Sequence, residues 1–177
     1  MILEITQLLW ATLQIRSPHI TSDPNFIYSC QQRNIKMYKL THRNHPMAIW
    51  TRKSYANFVY ARTLGLELCG EYSRWQNKTH ACEKHLNFFA QFHNELFFIE
   101  DQIEQYKPDT ILASLESSPV GCTAVPLCIT NRECITADHD LVNSYRNFYC
   151  MSKSRFAKWS RYGQGVHPSW YQPMTKI

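Results

Sequence analysis

Long apolar runs are missing from this chain. No stretch approaches the roughly 18 consecutive apolar residues that cross a bilayer, so neither a spanning helix nor a membrane partner is expected. Glycine (5) and proline (8) are scarce among 177 residues, which excludes collagen-like and low-complexity classes. No C-x-x-C pair occurs among Cys30, Cys69, Cys82, Cys122, Cys128, Cys134 and Cys150. An odd, scattered set of this kind fits reduced thiols in a cytoplasmic protein better than a secreted disulfide scaffold. The sequon Asn77-Lys78-Thr79 then carries no sugar. The apolar opening, residues 1–10, contains Glu4 and lacks a basic lead, so it does not read as a signal peptide. Gly-rich phosphate loops, a dinucleotide fingerprint, G-x-S-x-G, H-E-x-x-H and EF-hand loops are all absent. A nucleotide-driven motor or dinucleotide oxidoreductase is excluded, and no cofactor or metal is expected.

Acidic residues are missing from two long stretches. Residues 24–66 hold seven basic side chains and no acid, and residues 141–177 hold six and no acid. The segment between them, 67–140, holds twelve acids against five bases, and the whole chain nets +5. The last basic block also carries Tyr145, Phe148, Tyr149, Phe156, Trp159, Tyr162, Trp170 and Tyr171. Cations neutralise phosphates, and interleaved rings offer faces to bases, so this layout points to nucleic acid. The competing interpretation is a solvated basic face over an aromatic core.

The apolar spacing predicts one mainly α domain over 1–177, with an irregular insertion-like region near 88–135 and a coil tail at 160–177. A helix is expected over 1–14, with Leu3, Ile5, Leu8, Leu9 and Leu13 as its apolar side chains. Residues 17–40 read as irregular because Pro18 and Asp23-Pro24 break the pattern. Asn44-His45-Pro46 reads as a helix start with Asn44 as cap. A longer helix over 54–75 would turn Tyr55, Phe58, Val59, Leu66, Cys69 and Tyr72 inward, with Gly65 a small weakness. Thr79 would cap a helix to Phe92 that buries Leu86, Phe89 and Ala90. Asp138 would cap another to Cys150 that buries Leu141, Tyr145, Phe148 and Tyr149, and a last turn would open at Ser152 or Ser154 and run to Trp159. A short helix at 101–106 and strands at 111–115 and 125–129 complete the expectation.

The densest polar cluster is Thr41-His42-Arg43-Asn44-His45-Pro46, followed by Arg52 and Lys53. His42 and His45 suit general acid–base work, or with further ligands a metal-dependent nuclease. The bland alternative is that one imidazole caps the next helix. Lys78 and His80 stand at a turn into a helix, where backbone N–H groups can receive a phosphate. Glu71 and Arg74 are spaced to pair on one helix face. Arg146, Lys153, Arg155, Lys158 and Trp159 form the third cluster, with core packing as the alternative for Trp159.

Several of these strings resemble a family. Tyr38-Lys39-x-Thr41-His42-x-Asn44-His45-Pro46-x-x-x-Trp50 is similar to small bacteriophage proteins known as pyrimidine-dimer DNA glycosylases. The likeness continues through Ser54 and Asn57, Leu66-x-Leu68-Cys69-x-Glu71-Tyr72 and Lys78-x-His80. It resumes at Ser144-Tyr145-Arg146-x-Phe148-Tyr149, Lys158-Trp159 and Pro168-x-Trp170, and the opening Met1-Ile2-Leu3-Glu4-x-Thr6-Gln7-Leu8-Leu9 joins it. It covers most of the chain outside about 88–121. The resemblance implies a compact helical DNA-repair protein, double-stranded DNA as partner, and the host-cell cytoplasm as its place. It implies an amine nucleophile that forms a Schiff base at the sugar, with Glu4 as the assisting carboxylate. The chain starts inside the family's first helix, so the nucleophile is expected to be missing and this chain to bind DNA without cleaving it; a start upstream of Met1, a diverged paralogue and an inactive DNA-binding relic all stay open. A non-catalytic nucleic-acid-binding module and the histidine-based nuclease are the alternatives.

Overall fold

The computed structural model describes residues 1–92, 122–156 and 167–172. Every regular element among them is helical, so the fold is mainly α. Two compact units are formed. The first holds 1–92 with 122 and 123, and the second holds 124–156 with 167–172.

In the first unit, α1 (Ile2–Arg16) is the central helix. From Leu9 to Leu13 every residue is buried, so the helix has no solvated side there and its sequence shows little amphipathic contrast. Thr6 and Thr12 survive in this interior because each hydroxyl donates back to the carbonyl four residues earlier, at 2.9 Å. The helix stops at Ser17 because the following proline disfavours the helical region for the residue before it.

Residues 17–32, expected to be irregular, form α2 (Pro18–Thr21) and α3 (Pro24–Gln32). Both prolines occupy first-turn positions, where a missing N–H costs nothing. Asp23 caps α3, its carboxylate accepting from the Asn25 and Phe26 amides. The residues that read as breaks are helix starts.

α4 (Pro46–Lys53) is capped by His45, not Asn44. The His45 Nδ1 accepts from the Met47 amide at 3.2 Å. Ser54 ends α4 and caps α5 (Tyr55–Gln76), its hydroxyl accepting from the Asn57 amide at 3.1 Å. The buried stripe of α5 is Asn57, Phe58, Ala61, Gly65 and Cys69, while Tyr55, Val59, Leu66 and Tyr72 are only half-buried. Gly65 sets that offset: a Cβ there would lie 3.0 Å from the Leu86 side chain and 3.2 Å from that of Ile5. Only a bare Cα lets α1 and the next helix approach this closely. α5 ends at Asn77 in the left-handed region (φ 50°), which asparagine tolerates.

The next helix, α6 (Glu83–Phe88), has its N-cap at Cys82, three residues after the expected Thr79, and runs into a 3₁₀ turn at Phe89–Gln91. Leu86 and Phe89 are buried as expected, and Ala90 is half-buried. The rings of Trp10, Phe26, Phe58, Phe88 and Phe89 form the core, with Trp10 and Phe89 centroids 4.9 Å apart.

In the second unit, residues 125–129 do not form the expected strand. Pro126 has no N–H to give a ladder, and the Cys128 amide donates to the Tyr145 hydroxyl instead, at 3.1 Å. Leu127, Ile129 and Cys134 form a small core under α7 (Leu141–Ser152), with Leu141, Tyr145 and Phe148 packed on it. The cap of α7 is Asp140, not Asp138. His139, at φ 55°, turns the chain between the two aspartates and prevents a helix from starting at the first. Tyr149, expected inward, is exposed. A 3₁₀ turn at Ser154–Phe156 follows α7. The expected elements at 101–106 and 111–115, and the remainder of the last turn to Trp159, lie outside the described residues.

Candidate nucleic-acid interface

In the first unit, the turn from His42 to His45 is closed by a 2.9 Å hydrogen bond from the His45 amide to the His42 carbonyl. His42 takes a left-handed backbone (φ 54°), and the two imidazoles stand 6.3 Å apart, edge to face. Both are exposed. The Nδ1 of His45 is occupied as a helix cap, so its neutral ring carries its proton on Nε2. Among the described residues, no group of three or more His, Cys, Asp or Glu is placed to hold a metal ion.

Arg43 and Lys53 are exposed. Arg52 is 5% exposed, and its guanidinium donates to the Arg43 carbonyl at 2.6 Å. It therefore braces the histidine turn from inside instead of presenting a cation outward. Glu4 is exposed on the first turn of α1, and its carboxylate pairs with the Met1 amine at 3.1 Å. At the α5–α6 turn, Lys78 is exposed, and the Cys82 amide donates to the His80 Nδ1 at 3.1 Å, which leaves one N–H fewer for a phosphate there. His80 also meets the Tyr72 ring edge to face at 4.9 Å. Glu71 and Arg74 form the expected exposed pair, and Glu71 also fixes the Trp75 indole, accepting from its Nε1 at 3.0 Å.

Two buried arrangements carry no counterpart in the sequence analysis. The first centres on His85, whose Nδ1 accepts from the Trp10 indole at 3.1 Å. Tyr38 stacks on the same imidazole at 5.2 Å, and its hydroxyl meets the Cys82 thiol at 3.7 Å. Burial drives the His85 pKa down to about 4, with Lys84 adding to the effect, and drives that of Tyr38 up to about 12. A neutral imidazole is thus fixed in the core, with a neutral, half-buried phenol stacked on it. The second is fully buried Asn57, which donates to the Trp50 carbonyl and the Thr123 hydroxyl and accepts from the Thr123 amide at 2.9 Å. Trp50 Nε1 donates to the Thr123 carbonyl at 2.9 Å, so residue 123 is clasped on three sides.

The second unit gathers cations and rings along α7 and the turn that follows it. The Arg146 guanidinium lies over Trp170 at 5.7 Å. Lys153 lies over Phe148 at 5.2 Å and Phe156 at 5.8 Å, and Arg155 lies over Phe156 at 4.6 Å. An open groove of about 500 Å³ runs between Leu141, Val142, Tyr145, Arg146, Tyr149 and Trp170. Tyr149 and Trp170 meet edge to face at 6.1 Å along it. Burial raises the Tyr145 pKa, keeping this phenol neutral while it accepts from the Cys128 amide. Lys158 and Trp159 lie outside the described residues. The useful sequence signal was the acid-free block 141–177 with aromatics interleaved among its bases, although Tyr149 was expected inward.

No helix among the described residues is long and apolar enough to cross a membrane. Comparison of the chain with protein-family models, with curated proteins and with solved structures returns no match.

Proposed function

We propose that this protein binds nucleic acid through the cation–ring pairs of α7 and the turn that follows it. The observation that carries this reading is the pairing of each described cation of that segment with a ring: Arg146 with Trp170, Lys153 with Phe148 and Phe156, Arg155 with Phe156. A cation over a ring is held in place yet stays charged, so it meets a phosphate with little ordering left to do. No acid stands in residues 141–177 to compete for those cations. Binding measured by anisotropy of a labelled oligonucleotide tests the reading. Affinity falls steeply as salt rises, because bound phosphates release counterions. Affinity that ignores salt, or no binding at all, contradicts it.

A DNA glycosylase/lyase is the second reading, implied by the family resemblance. Glu4, the assisting carboxylate of that reading, is exposed on the first turn of α1, where a sugar could reach it. Borohydride treatment in the presence of damaged duplex, of this chain and of an N-terminally extended form, traps a covalent Schiff-base complex with at least one of them if this reading holds. Absence of the adduct removes the enzymatic reading and leaves the binding one intact.

A further inference from the structure

We infer that the α7 groove takes an unpaired base, which makes the preferred ligand of this surface single-stranded nucleic acid and not duplex. The inference rests on the nucleic-acid reading above and names its substrate class.

The groove's lining argues for a flat apolar guest. Leu141, Val142, Tyr145, Tyr149 and Trp170 supply aliphatic and aromatic surface, and Arg146 is the one charged member. Val142 (48% exposed) and Tyr149 (36%) present that surface to solvent. The hydroxyl of Tyr145 is already engaged by the Cys128 amide. Little is left to read the hydrogen-bonding edge of a base pair, whereas ring faces suit stacking, which every base offers.

A duplex cannot use such a groove, because its base faces are hidden in the stack and it presents only edges and phosphates. An unpaired strand presents both faces and backbone charge. Arg146 lies at one wall of the groove, against Trp170, in position to neutralise the phosphate beside an inserted base. Lys153 and Arg155, just beyond the α7 C-terminus, continue the positive charge along the strand. The volume, about 500 Å³, falls within the range of small-ligand sites, about 300–1,000 Å³. A neutral apolar guest would leave these cations without a role, and an acidic peptide would leave the rings without one.

The experiment compares three labelled probes of equal length with the full chain: oligothymidylate, its duplex with oligoadenylate, and an abasic deoxyribose-phosphate strand. Oligothymidylate binds about tenfold or more tighter than the abasic strand, because base stacking on a ring is lost without bases. It also binds tighter than the duplex. Trp170→Ala erases the advantage over the abasic strand, and Trp170→Phe keeps part of it, which separates loss of a stacking ring from loss of the local fold. Equal affinity for the abasic strand, or a tighter duplex, overturns the inference. If that equal binding is salt-sensitive, the nucleic-acid reading still stands. Failure of all three probes to bind at low salt overturns both.

Discussion

Single side chains decide more of this fold than their hydropathy suggests. Gly65 reads in the sequence as a weak point of a helix, but in the fold it is the contact point between α5, Ile5 and Leu86. Gly65→Val adds a Cβ and two methyl groups where the Cβ alone would already lie 3.0 Å from Leu86, and lowers stability by about 2 kcal/mol or more. Gly70, with nothing within 4 Å of its added Cβ, is the control. Gly70→Ala raises stability by about 0.5–1 kcal/mol through backbone entropy and helix propensity. Urea unfolding of the two variants checks the opposite signs. Asn57 is equally hidden from sequence reading: an asparagine inside a helix looks like a solvent-facing residue, yet this one is fully buried and holds Thr123.

His85 makes a prediction about acid. The folded pKa is about 4, below the ordinary 6.5. Between those values the unfolded chain takes up a proton that the native chain refuses. The stability contributed by this site is therefore complete above pH 6.5 and declines as pH falls, by roughly 3 kcal/mol at pH 4. His85→Gln keeps an acceptor for the Trp10 indole and flattens the dependence by one proton. Denaturant unfolding at several pH values from 7 to about 4 measures the slope. A slope unchanged by the substitution contradicts this assignment.

Among the elements, α5 was the most legible. Its expected span, 54–75, and its actual span, Tyr55–Gln76, differ by one residue because the Ser54 cap and the long apolar pattern agree. α2 and α3 were hidden because proline signals both a break and a first turn, and only tertiary context separates the two. The false strand at 125–129 has the apolar, β-branched composition of one, but Pro126 and the Tyr145 hydroxyl leave it no ladder. The histidine turn was legible as a cluster and ambiguous as chemistry. Its His45 is a helix cap in the structure, so His45→Ala costs roughly 0.5–2 kcal/mol, and His45→Asn, a better cap by type, restores most of it. Thermal melts of the two variants distinguish a cap, which Asn replaces, from a group needed only for its imidazole.

At the scale of the molecule, charge layout was the informative signal. Two acid-free blocks were plain in the sequence, but sequence alone could not say which cations face outward. The fold turns Arg52 inward while seating Arg146, Lys153 and Arg155 on rings along one segment. The sequence reading turns Tyr149 inward with Leu141, Tyr145 and Phe148, but α7 buries a narrower stripe and leaves this ring exposed. The most direct test of the central claim is the salt slope of oligonucleotide affinity for the native chain beside the triple variant Arg146→Gln, Lys153→Gln, Arg155→Gln. Each single-strand phosphate contact contributes about 0.7 to that slope, so the variant's slope is shallower by about 2. Equal slopes and equal affinities for the two proteins would contradict the account.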